Sequence, residues 1–529
     1  MEIEIYLAST EWQEKAVSSN QKYAVRGMCF GNEESAAVFN GIETAVKYAQ
    51  ELNGFFAFVF RGDGVLFACV DIIRSIPLFY SVRDSKFFIS DSADWVCEKV
   101  GDLDMDPVAK DLFQLSGYVP GAGTLYPNVK QLQAGECLSV GLESNGRGVS
   151  LKRYFTFQHR SPHFFDKESA IAEISKRAFE SIDFLIEYAR GRKILLPLSG
   201  GYDSRLIATI LRARGYENVM SFSYGVRGNK EAQAAHLIAK SLGFEWRFVE
   251  YTNEEWSAAW SSVSAENYRH YASSFTSLPH VQDWLAIKKL VEESDVGKDV
   301  VVVPGHCCVT SYIPESLIRV DKDFLTVVLD NIKATHFSCR PIRESAALTD
   351  AMLDEIILGS LSLQNPMDLD SAASMVMEFN WSERQSKYIA NSVRVYEFFG
   401  LDWWLPLWDR RFVDFWREIP AEYRFNRKLY KEFVSRVYAE LADKEFAPLD
   451  VVRGVEEKGV PIGVKRFLST IAKPVFFALK KMKIERSYTK HFLALGGLVP
   501  QKCIKEYVRK GYTIIGIYAE LFLAGRWGR

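Results

Sequence analysis

Residues 193–205 read KILLPLSGGYDSR. The apolar run Ile194, Leu195, Leu196 and Leu198, with Pro197 inside it, has the pattern of a short buried strand bounded by turn residues. Ser199-Gly200-Gly201-Tyr202-Asp203-Ser204 follows, and then RLIATILRARG, a helical run closed by Gly215. A strand, a loop of small residues and a helix start together form a cradle for phosphate. Glycine lets the backbone approach an anion, and the free N–H groups at the positive end of the helix face it. Ser199 and Ser204 add hydroxyl donors. The loop carries no lysine and lacks the G-x-x-x-x-G-K-[ST] spacing, so it is not a P-loop of the kinase or GTPase type. A bare Gly-Gly pair would read as a tight turn; SGGxDS directly after an apolar strand reads as phosphate binding.

The alternation continues beyond the loop. NVMSFSYG (218–225) reads as a second strand, and KEAQAAHLIAKSLG as a helix capped by Asn229 and stopped by Gly243. EWRFVEY is a third strand. Strands alternating with helices predict a parallel sheet with right-handed crossovers, whose ligands sit beyond the C-terminal strand ends. Ser199–Ser204 and Phe222-Ser223-Tyr224-Gly225 both fall there. Residues 252–298 read as mostly helical. DVVVVP (299–304) is a further strand, leading into Gly305-His306-Cys307-Cys308. Glu231 reads equally as a helix-start carboxylate or as a functional acid.

Composition narrows the class. The chain has 529 residues, 48% hydrophobic and 25% charged, which supports two to four domains with sizeable cores. A net charge of −2 offers no field for nucleic acid or an anionic membrane. The acidic start MEIEIYLASTEWQEK shows no signal peptide, and no apolar run reaches the roughly 18 residues of a spanning helix. Eight scattered cysteines without a CxxC fit neither a disulfide framework nor a zinc site, and predict reduced thiols in the cytoplasm. The Cys307-Cys308 pair reads as a packed turn rather than a soft-metal site. Nothing in the sequence sets an oligomeric state.

Residues 1–155 alternate short β-like runs with turns. ELNGFFAFVFRGDGVLFACVDIIRSIPLFYS (51–81) reads as two strands joined at Arg61-Gly62-Asp63-Gly64, and KFFISDS (86–92) as another. A short helix ending at Gly117 and one more strand complete an α+β sandwich. The boundary lies at about 156–160, before a long amphipathic helix that Ser161 or Asp166 would cap.

Three sets of residues carry a resemblance. Leu52-Asn53-Gly54, Phe56-Ala57-Phe58, Asp71 and Pro77-Leu78-Phe79-Tyr80, with Gly117, Pro120 and Gly135-Glu136 after them, are similar to the glutaminase domain of asparagine synthetases. SGGYDS resembles the pyrophosphatase loop of the ATP-pyrophosphatase enzymes. Asp402-Trp403-Trp404-Leu405-Pro406-Leu407-Trp408-Asp409 and VVRGVEEKGVPIGVKRFL (451–468) resemble later synthetase segments. The chain thus resembles the asparagine synthetase family over nearly its whole length.

That resemblance implies an N-terminal-nucleophile-like α+β sandwich at 1–155. It is followed by an α/β parallel-sheet ATP-pyrophosphatase domain with helical additions at 160–529. It implies ATP and Mg2+ as cofactors, with Ser199, Gly200, Gly201, Asp203 and Ser204 holding the pyrophosphate end and Asp203 the metal. Phe222, Ser223, Tyr224, Gly225 and Gly305 would complete the nucleotide site. Lys458 would neutralise charge in the transition state, and Asp402 would orient and deprotonate the amine. The partners would be a small carboxylate and an amine, joined through an acyl-adenylate. The SGGYDSR and LPLWD variants also resemble synthetase-like proteins of surface-polysaccharide synthesis, for which a uronic acid would be the carboxylate.

The departures from the family count as much. Position 2 is Glu2 where the family's glutaminases carry the nucleophilic cysteine, and the glutamine-holding N-G-x-x-x-N loop is reduced to Asn40-Gly41-Ile42. The first domain therefore reads as a scaffold that does not hydrolyse glutamine. No acid occurs between Pro304 and Pro314, where the family places a magnesium-positioning aspartate, so metal binding is expected to be altered. Two rival readings stay open: an amide ligase or cyclase acting on a larger amine, and a nucleotide-binding homologue without activity. The basic amphipathic tail at 465–529 reads as surface packing rather than membrane docking.

Overall fold

The computed structural model describes residues 2–18, 20–30, 42–62, 64–141, 148–160, 165–293, 296–309, 323–363, 365–443, 485, 488 and 490–528. Ten strands come first: β1 (Glu2–Tyr6), β2 (Gln13–Ser18), β3 (Gln21–Phe30), β4 (Asn53–Gly62), β5 (Val65–Val70), β6 (Phe79–Arg83), β7 (Lys86–Ser90), β8 (Lys130–Gln131), β9 (Glu136–Gly141) and β10 (Val149–Arg153). They form a six-stranded antiparallel sheet of order β10-β9-β5-β4-β3-β2, and a four-stranded sheet of order β1-β7-β6-β8 in which only β1 and β7 run parallel. The hairpin expected at 51–70 is present, with Gly62 opposite Val65. Phe55 to Phe60 of β4 are all buried, because both faces of this strand are covered, so the sequence runs apolar instead of alternating.

Helix Lys167–Ala189 leads into the second part, and Asp166 caps it by accepting from the Ser169 N–H. Strands β11 (Lys193–Pro197), β12 (Val219–Gly225), β13 (Glu245–Glu250), β14 (Val300–Val302) and β15 (Asp402–Trp403) then form a wholly parallel sheet of order β13-β12-β11-β14-β15. Ile194, Leu195, Leu196 and Val300 to Val303 are buried, as strands covered on both faces require. The chain moves from β11 outward through β12 to β13, then returns to the other side of β11 with β14. The direction of winding therefore reverses at β11, and the crevice at such a reversal is where open α/β sheets bind ligands.

Helices Phe324–His336, Asp350–Gly359 and Leu369–Phe379 build a second core with Leu112 and Leu115 of helix Pro107–Ser116. The last of the three continues into a π-helical segment, Asn380–Ile389. The first and second parts share one core. Phe55 meets Trp404 edge-on at 4.8 Å, Trp381 donates to the Ile72 carbonyl at 2.7 Å, and Asn53 donates to Asp409 at 2.8 Å. All eight cysteines are free, and among the described residues no helix is long and apolar enough to cross a membrane.

Candidate nucleotide site

The loop after β11 is held open by its own side chains. The Ser199 N–H donates to Ser204 Oγ at 3.2 Å, the Gly201 N–H donates to Ser199 Oγ at 3.2 Å, and the two hydroxyls lie 3.3 Å apart. Gly201 is the N-cap of helix Tyr202–Ala213 and has no side chain to cap it, so the first-turn N–H groups are left for another acceptor. Behind the loop, Arg205 is fully buried and donates to the Gly200 carbonyl at 2.8 Å, with its guanidinium between the rings of Tyr202 and Tyr438. A Cβ on Gly305 would stand 3.0 Å from the Ser204 nitrogen, so the loop after β14 approaches the helix start as closely as glycine allows.

The neighbouring strand end completes one wall. Ser223 donates to the Leu198 carbonyl at 2.7 Å and accepts from Trp246 at 3.0 Å; Tyr224 stacks on Tyr251 at 5.3 Å. Gly225 has φ +130, and a Cβ there would lie 2.5 Å from the Phe492 carbonyl oxygen, so no other residue fits. The resulting cavity is about 310 Å³, within the range of small-molecule sites.

Of the residues singled out in the sequence, Ser199, Gly201, Asp203, Ser204, Ser223, Tyr224 and Gly305 line this cavity. Gly200 and Gly225 shape its backbone from behind. The ring of Phe222 is buried in the core, and its carbonyl serves the sheet by accepting from Leu198. Lys458 lies outside the described residues, as do Asn40 and Gly41.

Asp402, expected to handle the amine, does not line this cavity. It opens β15, level with Val301 and hence with Ile194 near the beginning of β11. The loop sits at the other end of β11. Asp402 bonds Arg192 instead and lines a separate cavity of about 630 Å³ with Glu11, Arg190 and Arg192.

Asp203 lines the cavity, but its carboxylate is taken. Arg427 bonds it, and the Arg427 guanidinium lies 4.8 Å over the Tyr430 ring. Burial would depress Arg427, yet the Asp203 charge outweighs it and holds the guanidinium above its ordinary range. Among the described residues no group of three histidine, cysteine, aspartate or glutamate side chains can hold a metal. The carboxylate that the resemblance assigns to magnesium is thus bonded to a guanidinium in this structure. Cys307 and Cys308 form the packed turn, with Cys308 buried and the Val309 N–H donating to Cys307 Sγ at 3.3 Å.

The cavity also holds groups that motif reading passes over. His280 Nε2 lies 3.2 Å from Asp283, and Tyr396 donates to the other Asp283 oxygen at 2.6 Å. Burial pushes the Asp283 carboxyl up, but the His280 charge and both hydrogen bonds outweigh it, and the group ends below its ordinary value. His306 is bonded to Ser392 at 2.6 Å and stacks on Trp408; burial pushes it down to about 4, so it is neutral. The one local signal was the i, i+3 spacing of His280 and Asp283, just before helix Trp284–Glu292.

One comparison with known proteins falls on the same region. Residues 190–296 match the family model of asparagine synthase. Over 53 residues the chain is 45% identical to a 7-cyano-7-deazaguanine synthase of Ectopseudomonas mendocina; this covers 10% of the chain and 24% of that protein's length. In structure, it is similar to an NH3-dependent NAD synthetase from Campylobacter jejuni at 13% identity and a TM-score of 0.21, covering 36% of this chain and 92% of that one. It is also similar to a glutamine phosphoribosylpyrophosphate amidotransferase from B. subtilis at 9% identity and a TM-score of 0.19, covering 56% and 64%. The segment that matches the asparagine synthase model, 190–296, holds the loop and strands β11 to β13.

Proposed function

We propose that this chain is an ATP-dependent amide-forming ligase of the asparagine synthetase type. The observation that carries this reading is the uncapped SGGYDS helix start at the winding reversal of a parallel sheet, inside an asparagine synthase-type segment. A carboxylate oxygen attacks the α-phosphorus of ATP; the bond to the β-phosphate breaks, and pyrophosphate leaves. An amine nitrogen then attacks the acyl carbon, its proton passes to a base, and the bond to AMP breaks. The N–H groups of the loop and the Ser199 and Ser204 hydroxyls hold the departing pyrophosphate. Tyr224 and the Gly225 backbone bound the nucleoside side. Lys458, on the strength of the resemblance, neutralises charge on the acyl-adenylate.

His280 is the base of this scheme. Asp283, 3.2 Å from its Nε2, would orient the ring, as a general base requires. The first 155 residues act as a scaffold, and the nitrogen comes from ammonia or another free amine. Cys29, Cys69, Cys97 and Cys137 lie within strands or a helix, and burial and neighbouring groups hold the Cys69 and Cys97 thiols up, which leaves them protonated. The carboxylate is aspartate or a uronic acid.

Exchange of labelled pyrophosphate into ATP tests the first half-reaction alone. The reading predicts exchange that depends on the correct carboxylate and needs no amine. ATP binding without exchange, across aspartate and a panel of uronic acids, would turn the reading toward a nucleotide-binding homologue.

A further inference from the structure

A groove of about 460 Å³ lies where the end of β10 and the segment after it meet helix Arg410–Arg417. Four guanidinium groups line it, those of Arg153, Arg160, Arg410 and Arg417, against two carboxylates, Asp414 and Glu418. Asp414 is engaged by both helix arginines: it accepts from Arg417 at 2.8 Å and lies 3.5 Å from Arg410. Those two are also anchored to backbone. Arg410 donates to the Gln50 carbonyl at 2.7 Å and Arg417 to the Gln158 carbonyl at 2.8 Å, and their planes stand over the Phe155 ring at 5.9 and 5.0 Å.

Arg153 and Arg160 are different. Among the described residues neither guanidinium has a hydrogen bond or an ion pair. The groove thus carries two more positive than negative charges. Like charges held together repel, and although Arg160 is exposed the effect registers on Arg417: burial depresses it first, and Arg160 and Arg410 depress it further despite Asp414. Arg153 does stand opposite Glu136 across β9 and β10, and its charge also reaches Glu378, but neither acid lines the groove. Arginine forks match the planar oxygens of phosphate and carboxylate and hold them by paired hydrogen bonds. The groove shares no lining residue with the nucleotide cavity.

We propose that this groove is a second binding site, taking a small anion of at least two negative charges that bears phosphate or carboxylate groups. Arg410 and Arg417 form its fixed floor, and Arg153 and Arg160 close on the ligand. The site does not depend on the ligase reading.

Titration calorimetry on the full chain, with inorganic phosphate, pyrophosphate and citrate as probes, tests it. Arg153→Gln/Arg160→Gln removes the two charges without breaking a side-chain hydrogen bond and gives up only the longer-range attraction of Arg153 to Glu136 and Glu378, so the variant should fold with a Tm close to that of the wild type. At least one probe is expected to bind the wild type and to weaken by about tenfold or more in the double variant, with ATP binding unaltered. A probe that also enters the nucleotide loop should show two events in the wild type and one in the variant. If no probe binds, or if binding is the same in the variant, the groove is not an anion site.

Discussion

The guanidinium of Arg427 bonds the carboxylate of Asp203, so the acid in the first turn of the loop helix is met by a side chain 224 positions further on. Asn426 and Arg427 adopt left-handed backbone conformations, with φ of 52° and 59°. Such conformations cost on the order of 1–3 kcal/mol each in non-glycine residues.

The pair should therefore behave as a unit. Arg427→Ala and Asp203→Asn each leave a half-buried partner uncompensated and should destabilise by about 1–3 kcal/mol. The double variant should lose less than the sum, with a coupling of about 1–2 kcal/mol in urea unfolding. Strict additivity would mean that the two side chains do not stabilise one another.

Gly305 should control affinity rather than folding. A Cβ there would press on the Ser204 nitrogen at 3.0 Å, one of the groups proposed to face the phosphate. Gly305→Ala is expected to weaken pyrophosphate binding about tenfold while shifting stability by less than about 1 kcal/mol. Unchanged affinity would separate the loop after β14 from the site.

Asp402 and His280 make a paired test of which residue handles the proton. Asp402 pairs with Arg192 at the beginning of the strands, and its side chain is 41% exposed. Asp402→Asn should change kcat by no more than about twofold and stability by about 0–1 kcal/mol. His280→Gln should lower turnover by about 10²- to 10⁴-fold at little cost to ATP binding. The reverse pattern would restore the assignment drawn from the family motif.

Acid should destabilise the fold through its buried histidines. His336 is 4% exposed; burial and then the Arg384 charge hold it down at about 3. The native state thus binds fewer protons than the unfolded chain between pH 3 and the ordinary histidine value of about 6.5. Its contribution is intact above that value and falls away by about 1.4 kcal/mol per pH unit below it. His159 and His306, each held at about 4 by burial first, tilt stability the same way. Urea midpoints should drop from pH 7 to pH 5, and His336→Gln should make the drop smaller. An equal drop in the variant would mean that His336 titrates normally.

The parallel sheet was legible because its strands are buried on both faces and carry unbroken apolar runs, while Gly215 and Gly243 mark the helix ends. The loop was legible because SGGYDS combines small residues with a helix start. The position of Asp402 was not legible because a motif fixes order along the chain and not the end of the sheet at which a residue emerges. Only pairing with Val301 shows that β15 begins there. His280, Asp283 and Tyr396 were invisible as a set because they come together only through tertiary packing, as do Arg427 and Asp203.

The central claim is the cleavage of ATP between its α- and β-phosphates to drive amide formation. Identifying the nucleotide product tests it most directly, with the full chain incubated with ATP, aspartate or a uronic acid, and either ammonium or glutamine. The account predicts AMP and pyrophosphate in equal amounts with the amide, with ammonium and not with glutamine. ADP as the product, or AMP formed only with glutamine, would contradict it.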